Sequence, residues 1–318
     1  MKTIVIYCVL LILVSTANGQ GLYVKAYGNP ADSPVIFLHG GPGFNSAGFE
    51  ATTAQRLADT GFYVVVYDRR GEGRSQHLQS SYNFQQSFAD LNQLFQTYQL
   101  RKAILVGHSF GGVLATYFAD EFPEKVQSVI LAAAPVSMQE SFKTIIDASK
   151  IIYQSKNDSV NLAYLSQLEE MDKSSLAYSS YCLMHAMQNG FYSPKNLTEE
   201  AKQLYNILLA DPEIASHATQ MTYQAPQGFW KSEAYTCIDL TDKINAIISK
   251  AIKVYGIYGK EDGLYSANQI SALQNLIGSE NVLYLDNCSH NVFIDQQAQF
   301  LSAINHWMSN QPIEDFGF

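Results

Sequence analysis

Short runs rich in β-branched and aromatic residues alternate with amphipathic segments along most of this chain, and that rhythm constrains its fold more than any other feature. Residues 34–38, 62–67, 103–106, 126–131, 252–258 and 282–285 read as buried strands. After the second of these, Phe84, Phe88, Leu91, Leu94, Phe95 and Tyr98 recur at helical spacing and present one apolar face. Further helices are expected from about Ser109 to Glu121, stopped near Pro123, and from about Asp295 to Met308. Strand and helix in alternation predict an α/β protein, with a mainly parallel central sheet and helices on both faces.

The rhythm breaks once. From 136 to about 235 the sequence is tyrosine-rich, serine-rich and helical in period, with few β-branched clusters. Strand-type sequence stands on both sides, which predicts a helical lid at 136–235 inserted into one core built from 20–135 and 236–318. With 47% hydrophobic residues the chain can bury such a core. Its formal net charge of -9 gives no basic footprint for nucleic acid.

Residues 1–19 stand apart. Lys2 precedes an apolar run from Ile4 to Val14 and then small and polar residues through Gly19, the pattern of a secretory signal peptide. The run is shorter than the roughly 18 to 20 apolar residues of a spanning helix, so the expected location is secreted or periplasmic/cell-envelope, without stable membrane insertion after cleavage. Removing the signal takes Cys8 and leaves Cys182, Cys237 and Cys288, which permit at most one internal disulfide. Cys182 with Cys237 is the expected pair, and three buried thiols are the alternative. No Cys or His spacing resembles a zinc site, and no cofactor is expected.

The chemistry starts at Gly107-His108-Ser109-Phe110-Gly111, which fits G-x-S-x-G directly between an expected strand and an expected helix. In that context the motif denotes a nucleophile elbow, a strained turn that lifts the serine hydroxyl clear of the sheet at a helix N-terminus. A serine hydroxyl needs a base to take its proton, and on such a sheet the partners follow in the order Ser, Asp or Glu, His. His290 is the base expected, since it follows the last strand and precedes the final helix. Asp262, after the strand at 252–258, is the acid expected to orient it, with Glu261 and Asp286 as rivals. The other place for an acid, the end of the strand before the lid, reads Ala132-Ala133-Ala134-Pro135 and offers no carboxylate. His39-Gly40-Gly41-Pro42-Gly43 supplies a glycine-rich loop, and the Gly41 and Phe110 N–H groups are the expected oxyanion-hole donors.

The loop at His39, Asp68-Arg69-Arg70-Gly71-Glu72-Gly73-Arg74-Ser75, the elbow, Asp262 and His290 together resemble an α/β-hydrolase of the proline iminopeptidase-like group, from about Leu22 to Trp307 apart from the lid. The resemblance implies the α/β-hydrolase fold. It also implies that Asp68 and Arg74 are structural partners bracing the oxyanion loop, and that Glu72 is loop architecture. Two departures bear on substrate. Proline iminopeptidases usually carry Gly-Gly-Ser-Trp-Gly at the elbow, and lid tryptophans with glutamates that hold a free amino terminus. Here the elbow has His108 and Phe110, and of two tryptophans one, Trp307, falls in the final helix. Lid carboxylates such as Glu140, Glu169, Glu170, Glu199 and Glu233 are left to meet an amine.

The activity expected is therefore metal-free hydrolysis of a small or medium ester, lactone, thioester or amide through an acyl-enzyme. A proline iminopeptidase-type aminopeptidase acting on short peptides, and a non-catalytic hydrolase-like binding protein, are the alternatives. The signal carries its own test: the exported protein should begin at Gln20 or Asn18. Mass spectrometry that finds Met1 intact on exported material would refute the cleavage.

Overall fold

The structure, a computed structural model, describes residues 21–309. The expected signal peptide at 1–19 lies outside the described residues. Seven strands form one sheet: β1 (Val24–Tyr27), β2 (Ser33–Leu38), β3 (Phe62–Tyr67), β4 (Ala103–His108), β5 (Val126–Ala132), β6 (Lys253–Gly259) and β7 (Val282–Leu285). Their spatial order is β1-β3-β2-β4-β5-β6-β7. Every neighbouring pair is parallel except β1 with β3. Central strands are covered on both faces, which is why β3 is buried along its whole length and reads as a continuous apolar run. The edge strand β1 has no such run: its middle residues are exposed, and it is held by its ladder to β3 rather than by a hydrophobic face. Periodicity therefore gives no sign of it.

The helix Phe84–Thr97 buries the predicted stripe, with Phe84, Leu91, Leu94 and Phe95 in the core, and Asn83 caps it by accepting the Gln86 N–H. The helix Phe110–Glu121 sits deeper. Phe95 stacks on its Phe118 at 5.8 Å, and most of its residues are buried on more than one face.

Between β5 and β6 the chain is helical throughout: Met138–Ser155, Ser159–Glu169, Leu176–Gln188, Glu199–Ala210, Pro212–Thr219, Gln224–Glu233 and Thr241–Ser249. The last of these packs on Phe110–Glu121, where Lys243 and Lys250 both reach Asp120. No described helix is long and apolar enough to cross a membrane.

The expected Cys182–Cys237 bond is not formed, and the alternative of three buried thiols is not met either. Cys182, Cys237 and Cys288 are all free thiols, Cys182 and Cys288 buried and Cys237 exposed. Cys182 faces inward from the middle of helix Leu176–Gln188, where burial pushes its thiol up to about 12, while Cys237 is the exposed last residue of an otherwise buried turn. Proximity in sequence to the same helical region did not make them neighbours. A thiolate-specific reagent should accordingly modify Cys237 alone in the native protein, and Cys182 and Cys288 only after denaturation. Loss of native reactivity in Cys237→Ser checks the assignment; a denatured chain with two thiols missing would restore the disulfide.

Candidate active site

Strand β4 ends at His108 and a helix begins at Phe110, so a single residue, Ser109, makes the turn. It does so at φ 51° and ψ -124°, a left-handed backbone that side-chain-bearing residues rarely adopt. What over-determines this strain is close packing. A Cβ on Gly107 would lie 2.4 Å from the Gly112 Cα, and one on Gly111 would lie 2.0 Å from the Leu38 carbonyl oxygen. The Ser109 N–H donates to the Ala132 carbonyl at 3.0 Å, tying the turn to the end of β5.

Asp262 and His290 come from the loops after β6 and β7, which lie side by side in the sheet. Both are buried, and Asp262 Oδ2 lies 2.8 Å from His290 Nδ1. A carboxylate can only accept, so the proton sits on Nδ1 and the Nε2 lone pair is left available. The second Asp262 oxygen accepts the Leu264 N–H at 3.0 Å, which fixes the carboxylate plane. Neither rival acid is placed to do this. Glu261 accepts the Lys195 N–H, and Asp286 is exposed beside Lys260 at 2.8 Å.

The elbow and the His290 loop meet through His108. Its Nε2–H donates to the His290 carbonyl at 3.0 Å, and the two rings are 4.9 Å apart. Burial, and next the proximity of His290, lower the His108 pKa to about 3, so it stays neutral and acts as a donor. Tyr192 packs edge-on to the His290 ring at 5.1 Å.

The glycine-rich loop passes directly beside Ser109: a Cβ on Gly40 would fall 3.1 Å from the Ser109 Cβ. Gly41 follows at φ 118°. On the other side, Phe110 opens its helix, so its N–H has no intrahelical partner. The loop is clamped by a buried ion pair. Arg69 Nη2 is 2.9 Å from Glu72 Oε2, Arg69 also donates to the His39 and Gly40 carbonyls, and Glu72 accepts the Gly43 N–H at 2.7 Å. His39 locks in from within, donating from Nδ1 to the Gly40 carbonyl and accepting the Arg69 N–H at Nε2. Asp68 and Arg74 pair as well, at 2.7 Å, but the atoms Asp68 holds are the N–H and hydroxyl of Ser46, at the far end of the loop. Although burial opposes it, the hydrogen bonds from Arg74 hold the Asp68 carboxyl down to about 2.

Sequence reasoning missed Asp295. An acid at the head of an amphipathic segment reads as a helix start, yet this one closes the short helix Val292–Asp295 and is buried. Its Oδ2 accepts the N–H of Ser289, the residue before His290, at 2.8 Å, and its Oδ1 accepts the Tyr205 hydroxyl at 2.8 Å. Tyr205 belongs to the helix Glu199–Ala210, so this carboxylate joins the helical segment to the His290 loop.

A seven-stranded, mainly parallel sheet with a strained serine elbow and an Asp–His pair at its carboxyl edge defines a hydrolase architecture. Residues 33–297 match the alpha/beta hydrolase fold family, and the chain belongs to it. It is similar over nearly its full length to proline iminopeptidases. That of Lactobacillus helveticus is 23% identical over 306 residues, covering 91% of this chain and 95% of the relative. A bifunctional esterase/perhydrolase of Acinetobacter calcoaceticus is 32% identical over 127 residues, 39% of this chain and 45% of that protein. Among solved structures, a proline iminopeptidase-related protein of Thermus thermophilus superposes with a TM-score of 0.60 at 19% identity, over 91% of this chain and 93% of that one.

Burial raises the Asp295 carboxyl to about 6, the bonds from Ser289 and Tyr205 offsetting only part of the effect. Below about pH 4 the group is protonated folded or unfolded; between there and about 6 only the folded chain keeps the proton. The stability it contributes is thus full at low pH and lost as pH rises through about 6. Wild type should therefore lose on the order of 2 kcal/mol relative to Asp295→Asn between about pH 4 and about pH 7.5. Urea denaturation of both proteins checks this, and a pH-independent difference would show the carboxyl to be unshifted.

Proposed function

We propose that this protein is a serine hydrolase that cleaves a small or medium ester, lactone, thioester or amide through an acyl-enzyme. The observation that carries the reading is the Asp262–His290 pair, 2.8 Å apart, packed through His108 against the strained Ser109 turn. In this mechanism His290 Nε2 takes the Ser109 proton as Oγ attacks the carbonyl carbon, and Asp262 stabilises the imidazolium that forms. The oxyanion of the tetrahedral intermediate accepts from the Gly41 and Phe110 N–H groups. Collapse breaks the bond to the leaving group, which departs with the proton from His290. Water, deprotonated by the same imidazole, then releases the acid and restores Ser109.

Ester-type substrates are favoured over free amino termini by where the helical segment's carboxylates lie. Glu140, Glu169, Glu170 and Glu199 are exposed, and Glu233 is bonded to the Phe84 N–H at 2.7 Å. An ammonium enclosed without a carboxylate would cost several kcal/mol on a rough scale. The full-length similarity to proline iminopeptidases favours the second reading, an aminopeptidase. The apolar run after Lys2 supports export as the setting in which either would work.

A fluorophosphonate should label Ser109 rapidly, and Ser109→Ala and His290→Ala should each remove nearly all turnover, with Asp262→Asn costing less than either. Slow labelling without turnover would mean a binding protein. For substrate class, kcat/KM is compared on matched substrates with free and blocked α-amines. A preference of about 100-fold or more for the free amine, about 2.7 kcal/mol, would replace the esterase reading with the aminopeptidase.

A further inference from the structure

Two tyrosines pack against residues of the candidate site. Tyr192, in the loop after helix Leu176–Gln188, sets its ring edge-on to His290 at 5.1 Å and 87°. Tyr235, at the start of the turn Tyr235–Cys237, meets the ring of Phe110 at 5.4 Å and 71°. One phenol therefore stands over the base and the other over the residue that follows the nucleophile.

Their hydroxyls differ from those of the neighbouring tyrosines. Tyr258 donates to the Ala134 carbonyl at 2.7 Å, Tyr265 to the Ala133 carbonyl at 2.8 Å and Tyr205 to Asp295 at 2.8 Å. Those phenols are satisfied by the fold, as buried tyrosines ordinarily are. The Tyr192 and Tyr235 hydroxyls have no hydrogen-bond partner among the described residues. Nor are they sealed: among the described side chains only Tyr67 Oη and His217 Nδ1 are closed off from solvent without a partner. Both rings are packed against residues of the candidate site, and neither hydroxyl is spent on the fold.

We infer that Tyr192 and Tyr235 form a neutral hydrogen-bonding site for an oxygen function on the acyl group, such as a hydroxyl or ether near the carbonyl. The inference rests on the acyl-transfer reading above and narrows its substrate class. Burial raises both phenols, Tyr235 to about 12, and Asp262 adds to the effect at Tyr192. At working pH they are therefore uncharged donors and acceptors. Such a pair suits a neutral oxygen and gives nothing to balance an ammonium.

The test compares kcat/KM for a butyrate ester with that for a methoxyacetate and a hydroxybutyrate ester of the same leaving group. Differences in intrinsic reactivity cancel when the oxygenated-to-plain ratio is compared between wild type and variant. Tyr192→Phe and Tyr235→Phe should each lower that ratio about fivefold, and the double variant more than tenfold, each figure an order-of-magnitude expectation for losing one neutral hydrogen bond. Fluorophosphonate labelling of Ser109 reports whether each variant keeps its folded site. Labelled variants with the wild-type ratio would overturn the recognition site and leave the hydrolase reading standing. A wild type that neither labels nor hydrolyses any of these esters would overturn both.

Discussion

The left-handed turn at Ser109 is the constraint on which the rest of the site depends. Nothing in the serine itself favours φ 51°; the turn persists because strand β4 and the helix it feeds approach too closely for any other path. Gly107 and Gly111 allow that approach, one toward Gly112 and the other toward the end of β2. The helix in turn is fixed by aromatic packing at Phe118 and by Asp120, which receives Lys243 and Lys250 from across the sheet's crossover. Strain at one residue is thus supported by burial spread over several elements.

Around that turn, the buried charges occur in pairs whose geometry sets loop shape. Arg69 and Glu72 are both sequestered, and each uses its remaining hydrogen-bonding capacity on the backbone of the 39–43 loop. Burial raises the Glu72 carboxyl despite Arg69 beside it. An isolated ion there would be intolerable, and the ion pair holds because almost every polar atom has a partner. Asp68 and Arg74 do the same for the turn that follows. Asp295 carries the logic to the opposite wall, where one carboxylate fixes the backbone before His290 and receives Tyr205 from the helical segment.

The helical segment is where the structure adds most to the chemistry. Its tyrosines divide by how their hydroxyls are bound. Tyr205 bonds to Asp295, and Tyr153 lies 2.9 Å from His185 within the segment's own packing. Tyr192 and Tyr235 lay their rings on His290 and Phe110 and keep their hydroxyls free. The same residue type serves as interior packing in one place and as a candidate recognition surface in another.

Local pattern carried much of this protein. Central strands such as β3, buried on both faces, must be continuous apolar runs, and a glycine-flanked serine between strand and helix leaves little choice of turn, so the sheet and Ser109 were legible in the sequence. Asp262 and His290 were legible as the polar residues closing successive strands, and the structure puts them 2.8 Å apart. The edge strand β1 was not legible, because it is held by backbone pairing that leaves no hydrophobic trace. The expected Cys182–Cys237 bond failed for a related reason: whether two thiols meet depends on which way each helix faces, and sequence proximity does not encode that. Arg69, His108, Asp295 and Tyr192 each meet a partner that is distant in sequence, through a carbonyl, a hydroxyl or a ring face. Sequence alone determined the apolar strands of the sheet, the elbow and the candidate Asp262–His290 pair, because these follow from local period and chain order. Only the tertiary structure decided which buried polar groups are satisfied and which are left open, because a hydrogen bond depends on the meeting of atoms that the chain brings together only when folded.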